Sequence, residues 1–147
     1  MDDDEARMRR ILETSPTVAV LGLHCEEHKP ACYVPEYLHK HGYRILGVNP
    51  RFTGQILFGN PVVAKLTDLR EPIDLVDVFR RPEALPAHLD DLIACKPRAV
   101  WFQLGIRNDA VAAALERAGI EVVQNACTLA EHRALGLGRP RATPKRD

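Results

Sequence analysis

Three short polar motifs each follow an apolar, β-branched run of the chain: residues 48–51 (VNPR), 77–82 (DVFRRP) and 101–105 (WFQLG). In an open parallel sheet the carboxyl ends of the strands lie along one edge, where ligands bind. The motifs therefore collect polar side chains where a nucleotide-like ligand would lie. No general-acid or nucleophile pair is evident among them, which favours a binding domain over a catalyst.

The turn after the first apolar run could hold a phosphate. Gly22, Leu23 and His24 lie where a dinucleotide-binding fold carries its glycine fingerprint, but Gly22 is the only one of those glycines present. Pro30 is typical of the first turn of a helix, and a helix N-terminus offers free N–H groups to an anion. We interpret this region as a phosphate site, with a long surface loop as the alternative.

The second predicted strand ends in Asn49 and Pro50, without the acidic residue that holds the ribose hydroxyls of NAD. Arg51 offers a planar cationic fork to a phosphate. This pattern disfavours NAD and permits NADP or a 3′-phosphorylated adenosine. The alternative is an ordinary turn, in which Asn and Pro are common.

Arginines and a glutamine follow the next two predicted strands. Of Arg80 and Arg81, one could face the crevice and the other an acidic partner, although paired arginines are commonly solvated. Gln103 can donate and accept a hydrogen bond, and Gly105 permits close backbone approach to a ligand. The alternative is a glycine-containing loop without a ligand.

The cysteine and histidine pattern disfavours a metal centre. No CxxC pair, as in a zinc ribbon or a thioredoxin-type site, occurs among Cys25, Cys32, Cys95 and Cys127. His24 and His28 have a metal-ligand spacing, but on a predicted loop. Cys127 is interpreted as a packed small residue, and His132 as a surface or capping residue.

Apolar periodicity predicts five strands that alternate with helices. The strands are expected at residues 17–21, 43–48, 75–79, 99–102 and 120–123. The helices are expected at residues 5–12, 30–41, around 62–69, 82–94, 108–118 and 129–135, with Asn108 as an N-cap. This alternation predicts an α/β fold with a doubly wound parallel five-stranded sheet in the strand order 3-2-1-4-5. We expect a domain over residues 1–136, with a capping helix in 1–14, and a disordered basic tail over 137–147.

Length and composition are typical of one globular domain: 147 residues, 46% hydrophobic and 27% charged. The 20 basic and 20 acidic residues cancel, so no uniformly basic surface for nucleic acid is indicated. No apolar run approaches the ~20 residues of a membrane span. The N-terminal MDDDE lacks the basic start and apolar core of a signal peptide, and we expect a cytoplasmic protein.

Residues from about 17 to 135 resemble the stand-alone CoA-binding proteins, which share a Rossmann-type domain with the N-terminal part of the succinyl-CoA synthetase alpha subunit. The matching pieces keep their order and spacing: VAVLGL at 18–23, KP at 29–30, YL at 37–38, GY at 42–43, VNPR at 48–51, VDVFRRP at 76–82, AVWFQLG at 99–105 and EH at 131–132.

The resemblance implies a coenzyme A site along the carboxyl ends of the strands. The residues that it implies for the pyrophosphate region are Gly22, Leu23, His24, Lys29, Pro30 and Ala31. Those implied for the adenosine and its 3′-phosphate are Asn49, Pro50 and Arg51, with Phe79, Arg80 and Arg81 beside the adenine or ribose. Those implied for the pantetheine side are Gln103, Gly105, Asn125 and Cys127.

The implied function is binding of coenzyme A or acyl-CoA without catalysis. The synthetases catalyse with further domains, and we expect this chain to be the binding module alone. One alternative is an NADP-dependent oxidoreductase or nucleotide-sensing regulator, since Arg51 replaces an acid. Another is a thiol-redox protein in which Cys127, Cys25 or Cys32 forms a mixed disulfide with CoA.

Overall fold

A five-stranded parallel sheet lies at the centre of the computed structural model, which describes residues 3–141. Its strands are β1 (Thr17–Leu21), β2 (Arg44–Val48), β5 (Leu75–Val78), β6 (Ala99–Phe102) and β7 (Glu121–Val123), while β3 (Ile56–Leu57) and β4 (Asn60–Pro61) form an antiparallel hairpin. The helices are α1 (Asp3–Glu13), α2 (Pro30–Lys40), α3 (Leu89–Ala94), α4 (Asp109–Arg117) and α5 (Thr128–Ala134). Single 3₁₀ segments lie at Pro50–Phe52, Leu66–Asp68 and Pro82–His88. The predicted α/β class and the five-stranded parallel sheet are confirmed.

Apolar side chains form a core on each face of the sheet. On one face, Leu92 of α3 and Leu115 of α4 are fully buried against the strands. On the other face, Leu12 of α1 and Leu38 of α2 are fully buried. Because helices cover both faces, the strands are nearly continuous apolar runs, which is why the sequence reveals them.

The strand order corrects the prediction. The sheet runs β2-β1-β5-β6-β7, which is 2-1-3-4-5 in the count of the five predicted strands and not 3-2-1-4-5. The outer edge of β2 is occupied by the segment that follows it. Val63 donates its N–H to the Gly47 carbonyl at 3.0 Å, and its own carbonyl accepts the Asn49 N–H at 2.9 Å. The next long strand, β5, therefore pairs with the free edge of β1. At the start of this pairing the Asp74 carboxylate accepts the Thr17 N–H at 3.0 Å.

Two predicted helices differ in form. In place of a helix over 62–69 the chain has an extended segment against β2 and then one 3₁₀ turn, Leu66–Asp68. The predicted helix over 82–94 begins as the 3₁₀ segment Pro82–His88 and becomes α-helical only in α3. Pro82 and Pro86 have no N–H to donate, so the α-helical ladder starts after them. Asn108 caps α4 as predicted, accepting the Val111 N–H at 3.1 Å.

His132 is fully buried, which corrects the prediction of a surface role. Its Nε2 lies 3.0 Å from the Gly138 carbonyl oxygen and its Nδ1 lies 2.8 Å from the Tyr37 hydroxyl. A carbonyl only accepts, so Nε2 carries the proton and Nδ1 accepts the Tyr37 O–H. Burial lowers the pKa of His132, which keeps the ring neutral.

The segment after α5 has defined contacts over residues 137–141, contrary to the expectation of disorder there. Leu137 packs against the core, and the Arg141 N–H donates to the Glu13 carbonyl at 2.7 Å. The rest of the predicted tail, residues 142–147, lies outside the described residues.

Candidate ligand-binding cleft

A cleft of about 520 Å³ opens at the carboxyl ends of the strands, between the start of α2 and the loops after β5, β6 and β7. Its volume is in the range of small-molecule sites. The residues predicted for the site that line this cleft are Lys29, Pro30, Ala31, Phe79, Arg80, Arg81, Gln103, Gly105 and Cys127. The structure thus brings together residues from four separate parts of the chain.

Gly22 lies next to the cleft, where β1 and β5 end. Its φ is +91°, and a Cβ at this position would lie 2.6 Å from the Phe79 carbonyl oxygen and 3.4 Å from Arg80 Nε. Only glycine fits here, because a side chain would be strained at this φ and would overlap the carbonyl. The absence of a side chain lets the turn after β1 approach the loop that carries Phe79 and Arg80.

Three cationic side chains give the cleft its charge. Lys29 is half-exposed and lies 3.7 Å from the Glu26 carboxylate, and Arg81 is exposed. Arg80 is half-buried, and its Nε is a buried donor with no hydrogen-bond partner among the described residues. Burial lowers the pKa of His88, and the nearby positive charge of Arg80 lowers it further. A donor in this state is best satisfied by an anionic acceptor.

Other predicted residues lie toward β2 and outside the cleft lining. Asn49 is buried; its Nδ2 donates to the Leu23 carbonyl at 3.0 Å and its Oδ1 accepts the Arg51 N–H at 3.0 Å. Asn49 therefore ties the end of β1 to the end of β2. Leu23 is fully buried, while Pro50 and Arg51 are exposed on the 3₁₀ segment after β2.

His24 is buried beside Phe52, with ring centroids 4.7 Å apart in an edge-on arrangement. Its Nδ1 accepts the Glu26 N–H at 3.0 Å, and its Nε2 is buried without a partner among the described residues. Burial, and then the charge of Lys29, lower the pKa of His24. Within residues 3–141, no group of three or more histidine, cysteine or acidic residues is arranged to hold a metal ion.

A side chain in the loop after β7 fixes the position of the loop after β6. Asn125, a predicted site residue, has a φ of +56°, and its Oδ1 accepts the Gly105 N–H at 2.7 Å. Cys127, two residues further along the chain, is half-buried and lines the cleft. Of the other candidate thiols, Cys25 is exposed and Cys32 is buried, and neither lines the cleft.

The sequence did not predict a buried polar group around Asp77, which lies beneath the cleft. The carboxylate of Asp77 on β5 accepts hydrogen bonds from Gln103 Nε2 and from Thr128 Oγ1, the second at 3.0 Å. Asp77 is fully buried, and burial raises its pKa to about 7. A charged residue inside an otherwise apolar strand was the available signal for this group, but nothing in the sequence pairs it with Thr128.

Apolar side chains that were not predicted for the site also line the cleft. Tyr33 is 43% exposed and Leu104 is 72% exposed, and both lie at its rim together with Ile106. The signal for Leu104 was its place inside the WFQLG motif, between two predicted site residues. The cleft thus combines cations with an apolar wall.

The fold and the cleft define an α/β domain with a cationic cleft at the carboxyl ends of its parallel strands. Residues 16–133 match the protein family described as the CoA binding domain, and the chain belongs to this family. It is 30% identical over 128 residues to the uncharacterized protein YneT of Bacillus subtilis (strain 168), an alignment that covers 87% of this chain and 93% of that protein.

Two solved structures show the same fold. The structure of cell-free ID.343 from Thermus thermophilus is 48% identical, with a TM-score of 0.87 over 92% of this chain and 99% of that chain. The dinucleotide-forming acetyl-coenzyme A synthetase 1 of Ca. Korarchaeum cryptofilum is 15% identical, with a TM-score of 0.65 over 76% of this chain and 26% of that chain. Among the described residues, no helix has the length and apolar character to cross a membrane.

Proposed function

We propose that this protein binds coenzyme A or acyl-CoA in the cleft and acts as a binding module without catalysis. The observation that carries the proposal is the cationic strand-end cleft, with the unpartnered Nε of Arg80 in its wall, in a chain of the CoA-binding domain family.

The cations suit the phosphates of coenzyme A. Lys29 precedes α2, an 11-residue helix whose N-terminus favours negative charge, and Arg80 lies across the cleft after β5. A pyrophosphate here would supply the acceptor that Arg80 Nε lacks. Arg51, exposed after β2, is the proposed partner of the 3′-phosphate.

The apolar wall suits the pantetheine arm. The sheet order places the loop after β5 beside the loop after β6, with the loop after β7 beyond it. A ligand with its phosphates at Lys29 and Arg80 would therefore extend its arm past Gln103 and Gly105 toward Leu104 and Cys127.

The absence of carboxylates and imidazoles from the cleft lining supports a binding role. Among the described residues that line the cleft, none is an aspartate, a glutamate or a histidine. Asp77 lies beneath the cleft, and both of its carboxylate oxygens already accept hydrogen bonds. Histidine, aspartate and glutamate are the side chains that most often carry general acid–base catalysis.

Calorimetric titration with CoA, dephospho-CoA, NAD and NADP tests the proposal. Arg80→Met should weaken CoA binding about 10- to 100-fold, because it removes charged hydrogen bonds to phosphate. Arg51→Met should weaken CoA binding but leave dephospho-CoA binding unchanged. Arg117→Met, at an exposed position in the last turn of α4, is the matched control and should bind CoA normally. No binding of CoA, or tighter binding of NADP, would refute the proposal.

A further inference from the structure

A closed triangle of hydrogen bonds lies directly beneath the cleft. Asp77 accepts from Gln103 Nε2 through one carboxylate oxygen and from Thr128 Oγ1 through the other. Gln103 Nε2 also donates to Thr128 Oγ1 at 2.8 Å. All three side chains are at least nine-tenths buried, so water competes poorly for these bonds.

The triangle determines which end of the Gln103 amide meets a ligand. An amide offers two N–H donors on its nitrogen and one carbonyl oxygen as acceptor. A carboxylate only accepts, so the nitrogen of Gln103 must face Asp77. Its second N–H is used by Thr128, and the part of the amide left for a ligand in the cleft is the oxygen Oε1.

We propose that Asp77 is a positioning residue, which fixes the Gln103 amide with its oxygen toward the cleft, so that the site selects a ligand that donates an N–H at this point. The inference rests on the proposed function, and in coenzyme A the donor would be an amide N–H of the pantetheine arm. A fixed acceptor favours such a ligand because no side-chain freedom is lost when it binds.

The charge state of Asp77 controls this arrangement. The residues paired with it in the sheet are Val20 on β1 and Trp101 on β6, and α5 contributes Thr128. Among the described residues, no charged side chain on these elements shifts the pKa of Asp77, which burial raises to about 7. A protonated Asp77 can donate to Gln103 Oε1, so the amide is free to turn over. The affinity for an N–H-donating ligand should therefore fall as the pH decreases from 8 to 6.

A double-mutant cycle on dephospho-CoA binding tests the assignment, since that ligand lacks the phosphate monoester that titrates near pH 6. Gln103→Met should weaken binding about two- to tenfold, the effect of one lost hydrogen bond. Asp77→Asn should weaken binding by up to the same factor in the wild-type background and have no effect in the Gln103→Met background. An equal loss in both backgrounds would mean that Asp77 acts only on stability, and would overturn the proposal.

The pH profile separates the triangle from the other titratable groups at the cleft, which are Lys29, Tyr33, Arg80, Arg81 and Cys127. Wild-type protein and the exposed control variant Asp90→Asn should bind dephospho-CoA more weakly at pH 6 than at pH 8. Asp77→Asn should remove this difference. A profile that is the same in Asp77→Asn and wild type would contradict the role of Asp77.

The orientation of the Gln103 amide can also be tested by NMR on the protein without ligand. The side-chain NH₂ resonances of Gln103 should shift with pH near the pKa of Asp77 in wild-type protein and stay constant in Asp77→Asn. Constant resonances in both proteins would overturn the assignment. Wild-type protein that shows the shift but binds no CoA would refute the proposed function alone.

Discussion

Replacing Asp77 by asparagine should remove one component of the pH dependence of stability, so that the variant gains stability relative to wild type as the pH rises. Burial raises the pKa of this carboxyl from 3.8 to about 7 in the folded protein. In the unfolded chain the carboxyl loses its proton near its ordinary pKa. Between these two values the native state holds a proton that the unfolded state has released, so the free energy of unfolding decreases as the pH rises from about 4 to about 7.

The size of the effect follows from the width of this interval. One pKa unit corresponds to about 1.4 kcal/mol, and the two pH units from 5 to 7 therefore correspond to about 2.7 kcal/mol. Asparagine has nearly the shape of aspartate and releases no proton. The stability of Asp77→Asn relative to wild type should therefore increase by about 2.7 kcal/mol between pH 5 and pH 8.

Urea unfolding at several pH values measures this difference, with the fluorescence of the fully buried Trp101 as the probe. With a slope of about 2 kcal/mol per molar urea, the relative midpoint should move by about 1.3 M. The other carboxyl groups titrate in both proteins, so they cancel in the comparison. Asp90→Asn controls for the substitution itself. Parallel pH profiles of wild type and Asp77→Asn would refute the reasoning.

Three further predictions, the first with a matched control substitution, test the contacts that hold the fold and the cleft. Gly22→Ala should lower stability by about 3 kcal/mol in thermal unfolding, whereas Gly59→Ala should cost about 1 kcal/mol, since both have a positive φ but only the Gly22 position has no space for a Cβ. Equal losses would mean that backbone strain alone acts. Tyr37→Phe should cost about 1 to 2 kcal/mol in urea unfolding, because buried His132 Nδ1 loses its partner; no loss would contradict this hydrogen bond. Asn108→Ala should cost about 1 kcal/mol and increase amide exchange in the first turn of α4; unchanged exchange would contradict the cap.

The strands and helices of this fold were predictable where a short, continuous stretch of sequence carries the signal, as in strands that are buried on both faces of the sheet. The five long strands and most helices are read from short apolar runs such as TVAVL at 17–21. The strand order was not predictable from the sequence. It depends on hydrogen bonds between the backbone of Val63 and the edge of β2, and backbone hydrogen bonds do not require particular residue types. The 3₁₀ start at Pro82 was readable in principle from the spacing of Pro82 and Pro86.

The candidate site was predictable as far as strand ends define it. Gln103 follows β6 directly and Arg80 lies two residues beyond the end of β5, and the parallel sheet brings such positions to one edge. The triangle was not predictable, because Thr128 lies 51 positions from Asp77 and is an ordinary N-terminal residue of α5 by sequence. His132 was misplaced for the same reason, since its partner Tyr37 lies 95 positions away.

The end of α1 and the described C-terminal segment meet on the side of the sheet opposite the cleft. The carbonyl of Glu13, at the end of α1, accepts the N–H of Arg141, and Arg10 bonds to Glu121 at the start of β7. These contacts therefore lie at the amino ends of the strands, while the cleft is at their carboxyl ends. This geometry separates tethering from binding: a surface or reporter attached through Arg141 would sit at the amino ends of the strands and leave the cleft open to solvent.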